Sequence, residues 1–213
     1  MKSGPTVELK NYQNLGYEGK MWFGKPLQQM NVTFDAGSAQ SWLYSESLNT
    51  EKRPEPKSNT PEAPINEATW AAAKGKGFVQ SKSKSYKENE VIGQEVSYGE
   101  GKVMGHPAQD KACFDPEGTN CLTGSLSFLS VVNFLYMNPI KGNGVIGLAP
   151  TPATNEDLKD PLTKGVPGFI AQLKESSPFD PVFSIYLSND AKSPGQMTFG
   201  GYDMTLAKEG KKS

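Results

Sequence analysis

Short runs of β-branched and aromatic residues, each cut off within a few positions by glycine or proline, recur along the whole 213-residue chain. They fall at 6–9, 17–23, 30–34, 41–44, 91–98, 103–106, 111–114, 126–136, 144–148, 182–187 and 196–199. Runs so short and so regularly punctuated predict a mainly β fold of strands joined by tight turns. The 22 glycines and 16 prolines supply the turns, and ten Phe, eight Tyr and three Trp supply bulk for a core. Helical spacing is confined to two short stretches. At 167–175, Phe169, Ile170 and Leu173 form one stripe, with Pro167 suited to a first helical turn. At 67–74, three consecutive alanines favour helix.

Charge and composition exclude several function classes. With 22 basic and 23 acidic side chains the net charge is −1, so there is no basic field for nucleic acid. No apolar run approaches the ~20 residues of a membrane span. One histidine and two cysteines give no metal-ligand spacing, and neither a metal nor a cofactor is expected. Cys113 and Cys121, eight positions apart, suit either a disulfide closing a short loop or two separate thiols in a reducing compartment. His106 has no nucleophile system around it and reads as a solvated histidine at a strand end. Lys74, Lys76, Lys82, Lys84 and Lys87, balanced by Glu88 and Glu90, read as a solvated face. Residues 46–66, with Pro54, Pro56, Pro61 and Pro64 among Lys, Glu, Ser and Asn, read as a surface insertion within one domain spanning 1–213. The opening Met1-Lys2-Ser3-Gly4-Pro5 does not have the pattern of a secretory leader.

The most informative stretch is Val32-Thr33-Phe34-Asp35-Ala36-Gly37-Ser38-Ala39-Gln40-Ser41-Trp42. A period of two puts Val32 and Phe34 on one face and Thr33 and Asp35 on the other. Asp35 then enters a tight turn, where Gly37 lets the backbone approach and donate to the carboxylate and Ser38 adds a hydroxyl. Taken alone, these residues read as an ordinary Asp-x-Gly turn between strands rather than as a catalytic site.

Together with its neighbours the stretch resembles the N-terminal lobe of the pepsin-like aspartic proteases. Tyr17-Glu18-Gly19 and Gly24-Lys25-Pro26-Leu27-Gln28 are similar to that family's first strands. Phe34–Ser38 resembles its Phe-Asp-Thr-Gly-Ser motif, with Ala36 in the threonine's place, and Trp42 stands where the family has a tryptophan. Tyr98-Gly99-Glu100-Gly101-Lys102-Val103-Met104-Gly105 resembles the flap hairpin. Gly144-Val145-Ile146-Gly147-Leu148-Ala149 resembles the apolar-apolar-Gly element that follows it. Phe183–Ser188 and Met197–Asp203 resemble the segments leading out of the lobe.

The resemblance implies one pepsin-like lobe: folded or closed barrel-like sheets, a flap hairpin and one or two short helices. It implies that Asp35 is the first of two catalytic aspartates, supported by Gly37 and Ser38. It also implies that Tyr98, Gly99 and Gly101 form the flap over a polypeptide substrate, with Tyr98 held by Trp42. None of Asp110, Asp115, Asp157, Asp160, Asp180, Asp190 and Asp203 is followed by Thr-Gly or Ser-Gly, so the second aspartate has no candidate in these residues. Ala36 removes a hydroxyl that the family uses between lobes. The expectation is therefore a lobe that is not catalytic alone and serves as a subunit of a larger assembly. The alternative is half of an active endopeptidase, completed by a second chain, a second copy or further sequence. Either way a protein partner is expected, and the resemblance implies a secretory or lysosomal type of compartment.

Overall fold

The computed structural model describes residues 4–12, 16–49, 67–99, 101–135, 140–150, 160–188, 190 and 193–206. Eleven strands dominate these residues: β1 Thr6–Asn11, β2 Tyr17–Phe23, β3 Gln28–Asp35, β4 Trp42–Tyr44, β5 Lys87–Glu88, β6 Gln94–Tyr98, β7 Gly101–Cys113, β8 Cys121–Leu135, β9 Gly144–Gly147, β10 Phe183–Tyr186 and β11 Gly195–Phe199. Three short helices accompany them: α1 Glu67–Ala73, α2 Pro161–Lys164 and α3 Phe169–Ser176. The fold is mainly β. Of the insertion read at 46–66, Glu46–Asn49 is a 3₁₀ turn, and 50–66 lies outside the described residues.

The strands follow the order β10-β11-β1-β2-β3-β9-β4-β8-β7-β5. A further antiparallel pairing, Trp22 with Cys113 and Phe23 with Ala112, joins β2 to β7. The path β2-β3-β9-β4-β8-β7 therefore returns on itself as a ring. β1 belongs to two neighbourhoods: Thr6–Leu9 pair with β11, and Lys10 and Asn11 with β2. β10, β11 and the first part of β1 thus form a small antiparallel sheet beside the ring.

Alternation fills the ring. Met21 and Phe23 of β2, Met30 and Val32 of β3, and Ala108 and Ala112 of β7 point into one core with Phe78, Phe128, Phe169 and Phe199. Edge-to-face contacts bind its rings, as between Phe23 and Phe128 with centroids 5.8 Å apart. A second cluster, around Trp42, Tyr44, Val103, Val131 and Phe134, takes in Val96 of β6 as well.

Several boundaries differ from the sequence expectation, four of them for a clear local reason. The runs at 103–106 and 111–114 are one strand, β7. Pro107 between them lacks an N–H, but its carbonyl still accepts from the Asn89 amide at 2.9 Å, and it stays in register with β8 opposite Leu129. The run at 91–98 is strand only from Gln94, because Ile92 closes a turn onto the Asn89 carbonyl. β8 begins at Cys121, five residues early, because its exposed start pairs with β7 through backbone bonds that leave no apolar pattern. α3 starts at Phe169 with Gly168 as its cap, leaving Pro167 just outside. His106 is a further correction: it is fully buried in mid-β7 rather than solvated at a strand end. Lys76, read as part of a solvated face, is partly buried and donates to the Ile140 carbonyl at 3.0 Å.

Candidate active site

Asp35 is the last residue of β3, and β9 runs parallel beside it, with Phe34 opposite Ile146 and Asp35 opposite Gly147. Val32 is fully buried, whereas Asp35 is half-buried at the strand's exit. The turn that follows is tied to β9 and its continuation. The Leu148 amide donates to the Asp35 carbonyl at 2.7 Å, and the Ala149 amide to the Ser38 carbonyl at 2.9 Å. The buried Ser41 hydroxyl accepts from the Gly147 amide at 3.2 Å. β9 is wedged against β4 on its other side, and at Gly144 a Cβ would run into the Trp42 carbonyl oxygen. Glycine is required there by proximity, since a side chain would force the two backbones apart.

Both carboxylate oxygens of Asp35 are held. The Gly37 amide donates to Oδ1 at 2.8 Å, and the Ser38 hydroxyl donates to Oδ2 at 2.6 Å. The carboxylate is thereby fixed in plane and rotation, on a turn that is itself anchored to two strands. Ala36, at the crest of the turn, is exposed.

β6 and the start of β7 form a hairpin, with Tyr98 opposite Gly101 at its tip. Tyr98 reaches back to the strand that follows the Asp35 turn: the Trp42 indole Nε1 donates to its hydroxyl at 2.7 Å. Trp42 is itself fully buried. Burial pushes the Tyr98 phenol up, the nearby Asp35 charge adds to the rise, and the Trp42 N–H and Ser38 hydroxyl oppose it. Gly99 is exposed at the hairpin tip and Gly101 opens β7 with a φ of 156°. Asp35, Gly37, Ser38, Trp42 and Tyr98 thus converge on one place. Cys113 and Cys121 do not: they are joined by a disulfide at the far end of β7 and β8.

Two supports are given no role by the sequence. Ser41 lies within the quoted motif, but a buried serine is indistinguishable there from a turn residue. Asn143 leaves no local signal, since its partners are remote in sequence: its side chain accepts from the Asn31 amide at 2.7 Å and donates to the Lys76 carbonyl at 2.8 Å. No group of three potential metal-ligating side chains occurs among the described residues, and no helix there is long and apolar enough to cross a membrane.

The family model described as eukaryotic aspartyl protease matches residues 16–211. Curated relatives agree with it. Pepsin-3 of Oryctolagus cuniculus is 29% identical over 202 residues, covering 94% of this chain and 44% of the relative. Cathepsin D of Homo sapiens is 27% identical over 213 residues, covering 94% and 45%. Phytepsin of Hordeum vulgare is 25% identical over 210 residues, covering 95% and 35%. The chain therefore spans less than half the length of these relatives.

Proposed function

The chain belongs to the eukaryotic aspartyl protease family, and from that premise we propose that it supplies one carboxylate and the flap of an acid endopeptidase cleft, is inactive alone, and is completed by a second aspartate-bearing unit. The observation that carries this reading is the convergence on one place of Asp35, restrained by the Gly37 amide and the Ser38 hydroxyl, and the hairpin residue Tyr98, held by the Trp42 indole. The restraint alone does not distinguish Asp35, since Asp115 is held as fully in its own surface turn. Two carboxylates brought within a few ångströms cannot both ionise easily, so the pair shares a proton. One carboxylate then takes a proton from water as its oxygen attacks the scissile carbonyl. The other gives its proton to the carbonyl oxygen, and collapse of the tetrahedral adduct expels the amine as it is protonated. Tyr98 closes over the peptide from the flap, and the substrate class is unfolded or extended polypeptide.

The partner's docking face is argued from exposure. Val182, Ile185, Tyr186, Leu187 and Tyr202 are exposed apolar side chains on and beside β10. β10 pairs with β11 on one side and with no other strand among the described residues. An unpaired edge with apolar neighbours is a surface that a partner covers. The disulfide suits an oxidising compartment of the secretory or lysosomal type. Ala36 favours a second reading, a non-catalytic binding subunit, because an alanine on the exposed crest offers the partner no hydroxyl.

The test is acid-pH cleavage of a denatured protein, together with the thermal shift given by a statine-type inhibitor. The chain alone is expected to give neither. The complete assembly is expected to give both, with cleavage lost on Asp35→Asn. An assembly that binds the inhibitor without cleaving would establish the binding subunit instead, and one that cleaves equally well with Asp35→Asn would remove Asp35 from the chemistry.

A further inference from the structure

β7 buries an imidazole at the root of the flap. His106 is fully buried, faces Ser130 of β8, and follows Gly105, the last residue of β7 paired with flap strand β6. Its Nδ1 lies 3.1 Å from the carbonyl oxygen of Ile92, two residues before β6 begins. A carbonyl only accepts, so the proton of the neutral ring sits on Nδ1. Nε2 is then a bare lone pair in the neutral ring and an N–H in the cation. It is buried with no hydrogen-bond partner among the described residues.

The charged surroundings of the ring come from every neighbouring element. Glu88 of β5 pairs with Ala108, two residues along β7 from His106 and on the same face. Gln80 Nε2 donates to the Glu88 carboxylate at 3.3 Å. Burial pushes the Glu88 carboxyl up, against the pull of the Ser130 hydroxyl, His106 and Tyr86, while Glu90 adds to the rise. Asp110, further along the same face of β7, already accepts from the Ser85 hydroxyl at 2.6 Å and the Lys111 amide at 2.8 Å. Glu90 is exposed on the loop before β6, and Asp160 and Lys164, at the two ends of α2 beside β7, are exposed as well.

We propose that His106 is a positioning residue for the flap: its Nδ1–H clamps the Ile92 carbonyl at the hairpin's root, as the Trp42–Tyr98 bond holds the tip. A part-buried carbonyl that loses its donor is left unpaired, so without the imidazole the root opens to water more readily. The consequence for peptide entry rests on the half-cleft reading above; the clamp itself does not.

Hydrogen exchange on the whole chain tests it, with protection of 92–105 read against β3 and β9. His106→Leu, which fills the space without a donor, is expected to lower flap protection about tenfold relative to that reference. His106→Asn, which keeps a side-chain N–H at the Nδ1 position, is expected to restore it to within about twofold. Wild-type protection in His106→Leu, or protection in His106→Asn as low as in His106→Leu, overturns the proposal. If the leucine variant does not fold, His106→Phe, a ring without the donor, takes its place in the comparison. No cleavage is measured, so an exchange pattern as expected in a chain whose assembly never cleaves would sink the half-cleft reading and leave the clamp standing.

Discussion

The Asp35 carboxylate is positioned by two donors of different kinds, and they are separable. The Gly37 amide is part of the turn, whereas the Ser38 hydroxyl at 2.6 Å is removable without touching the backbone. In the complete assembly Ser38→Ala is expected to lower kcat about 10–100-fold with KM little changed, because a freed carboxylate loses orientation rather than substrate contact. Steady-state kinetics on the two proteins checks it; a change confined to KM would move Ser38 from positioning to substrate binding. The phenols give a pH signature at the same scale. Burial pushes Tyr44 and Tyr86 far up and raises Tyr98. A phenol that holds its proton more tightly in the fold than in the unfolded chain contributes stability that is intact below about pH 10 and lost as the pH climbs further. Alkaline unfolding is therefore expected to begin near that pH, with these three phenols ionising together with the loss of near-UV circular dichroism. A smooth spectrophotometric titration of all tyrosines in a folded chain would contradict their burial.

At the scale of elements, the site depends on β9 lying between β3 and β4. Gly144→Ala drives a methyl group into the Trp42 carbonyl, and a loss of about 3 kcal/mol or more is expected, read as a shift in the denaturant midpoint. The hairpin of β7 and β8 is closed by the Cys113–Cys121 disulfide across a separation of eight residues, and Cys113→Ser with Cys121→Ser is expected to cost about 2–3 kcal/mol by loop entropy. That loss should appear without any change at Asp35, since the bridge sits at the opposite end of β7. These elements also mark what the sequence could and could not reveal. β2 was legible to the residue because its run of Tyr, Met, Trp and Phe is bounded by Gly16 and Gly24, and the Asp35 turn because Gly37 and Ser38 act locally. β7 was read as two strands because Pro107 looks like a break when its carbonyl's partner, Asn89, is out of view. His106 was misplaced for the same reason: its surroundings are set by Ile92, 14 residues away in sequence, and by Ser130 of β8, opposite it. The Asn143 bridge between Asn31 and Lys76 is wholly tertiary.

For the molecule as a whole, the ring of strands and the inner face of the small sheet share one core, but that sheet of β1, β10 and β11 ends in a strand, β10, that pairs only with β11 among the described residues. Its far strand carries Ile185, 40% exposed, and the chain beyond it Leu187, 53% exposed. Apolar side chains at an unpaired edge favour association at about 25 cal/mol per Å² of area removed from water, before the cost of immobilising the partners. If the half-cleft reading holds, this edge meets the unit that carries the second aspartate. A charge there then damages assembly before it damages folding. Ile185→Lys with Leu187→Lys is expected to weaken association at least about tenfold, read by sedimentation across a concentration series. Thermal unfolding of the dissociated chain should move little, because neither side chain belongs to the buried clusters. Ala36, exposed at the crest of the Asp35 turn, offers the opposite change on the same assembly. Ala36→Thr puts a hydroxyl beside the candidate carboxylate, and one hydrogen bond gained across the interface is worth about 1 kcal/mol. Association is then expected to tighten about fivefold. If the double lysine variant associates as tightly as the wild type, the edge of β10 is not the interface, and the partner must instead meet the chain on the flap side of the ring.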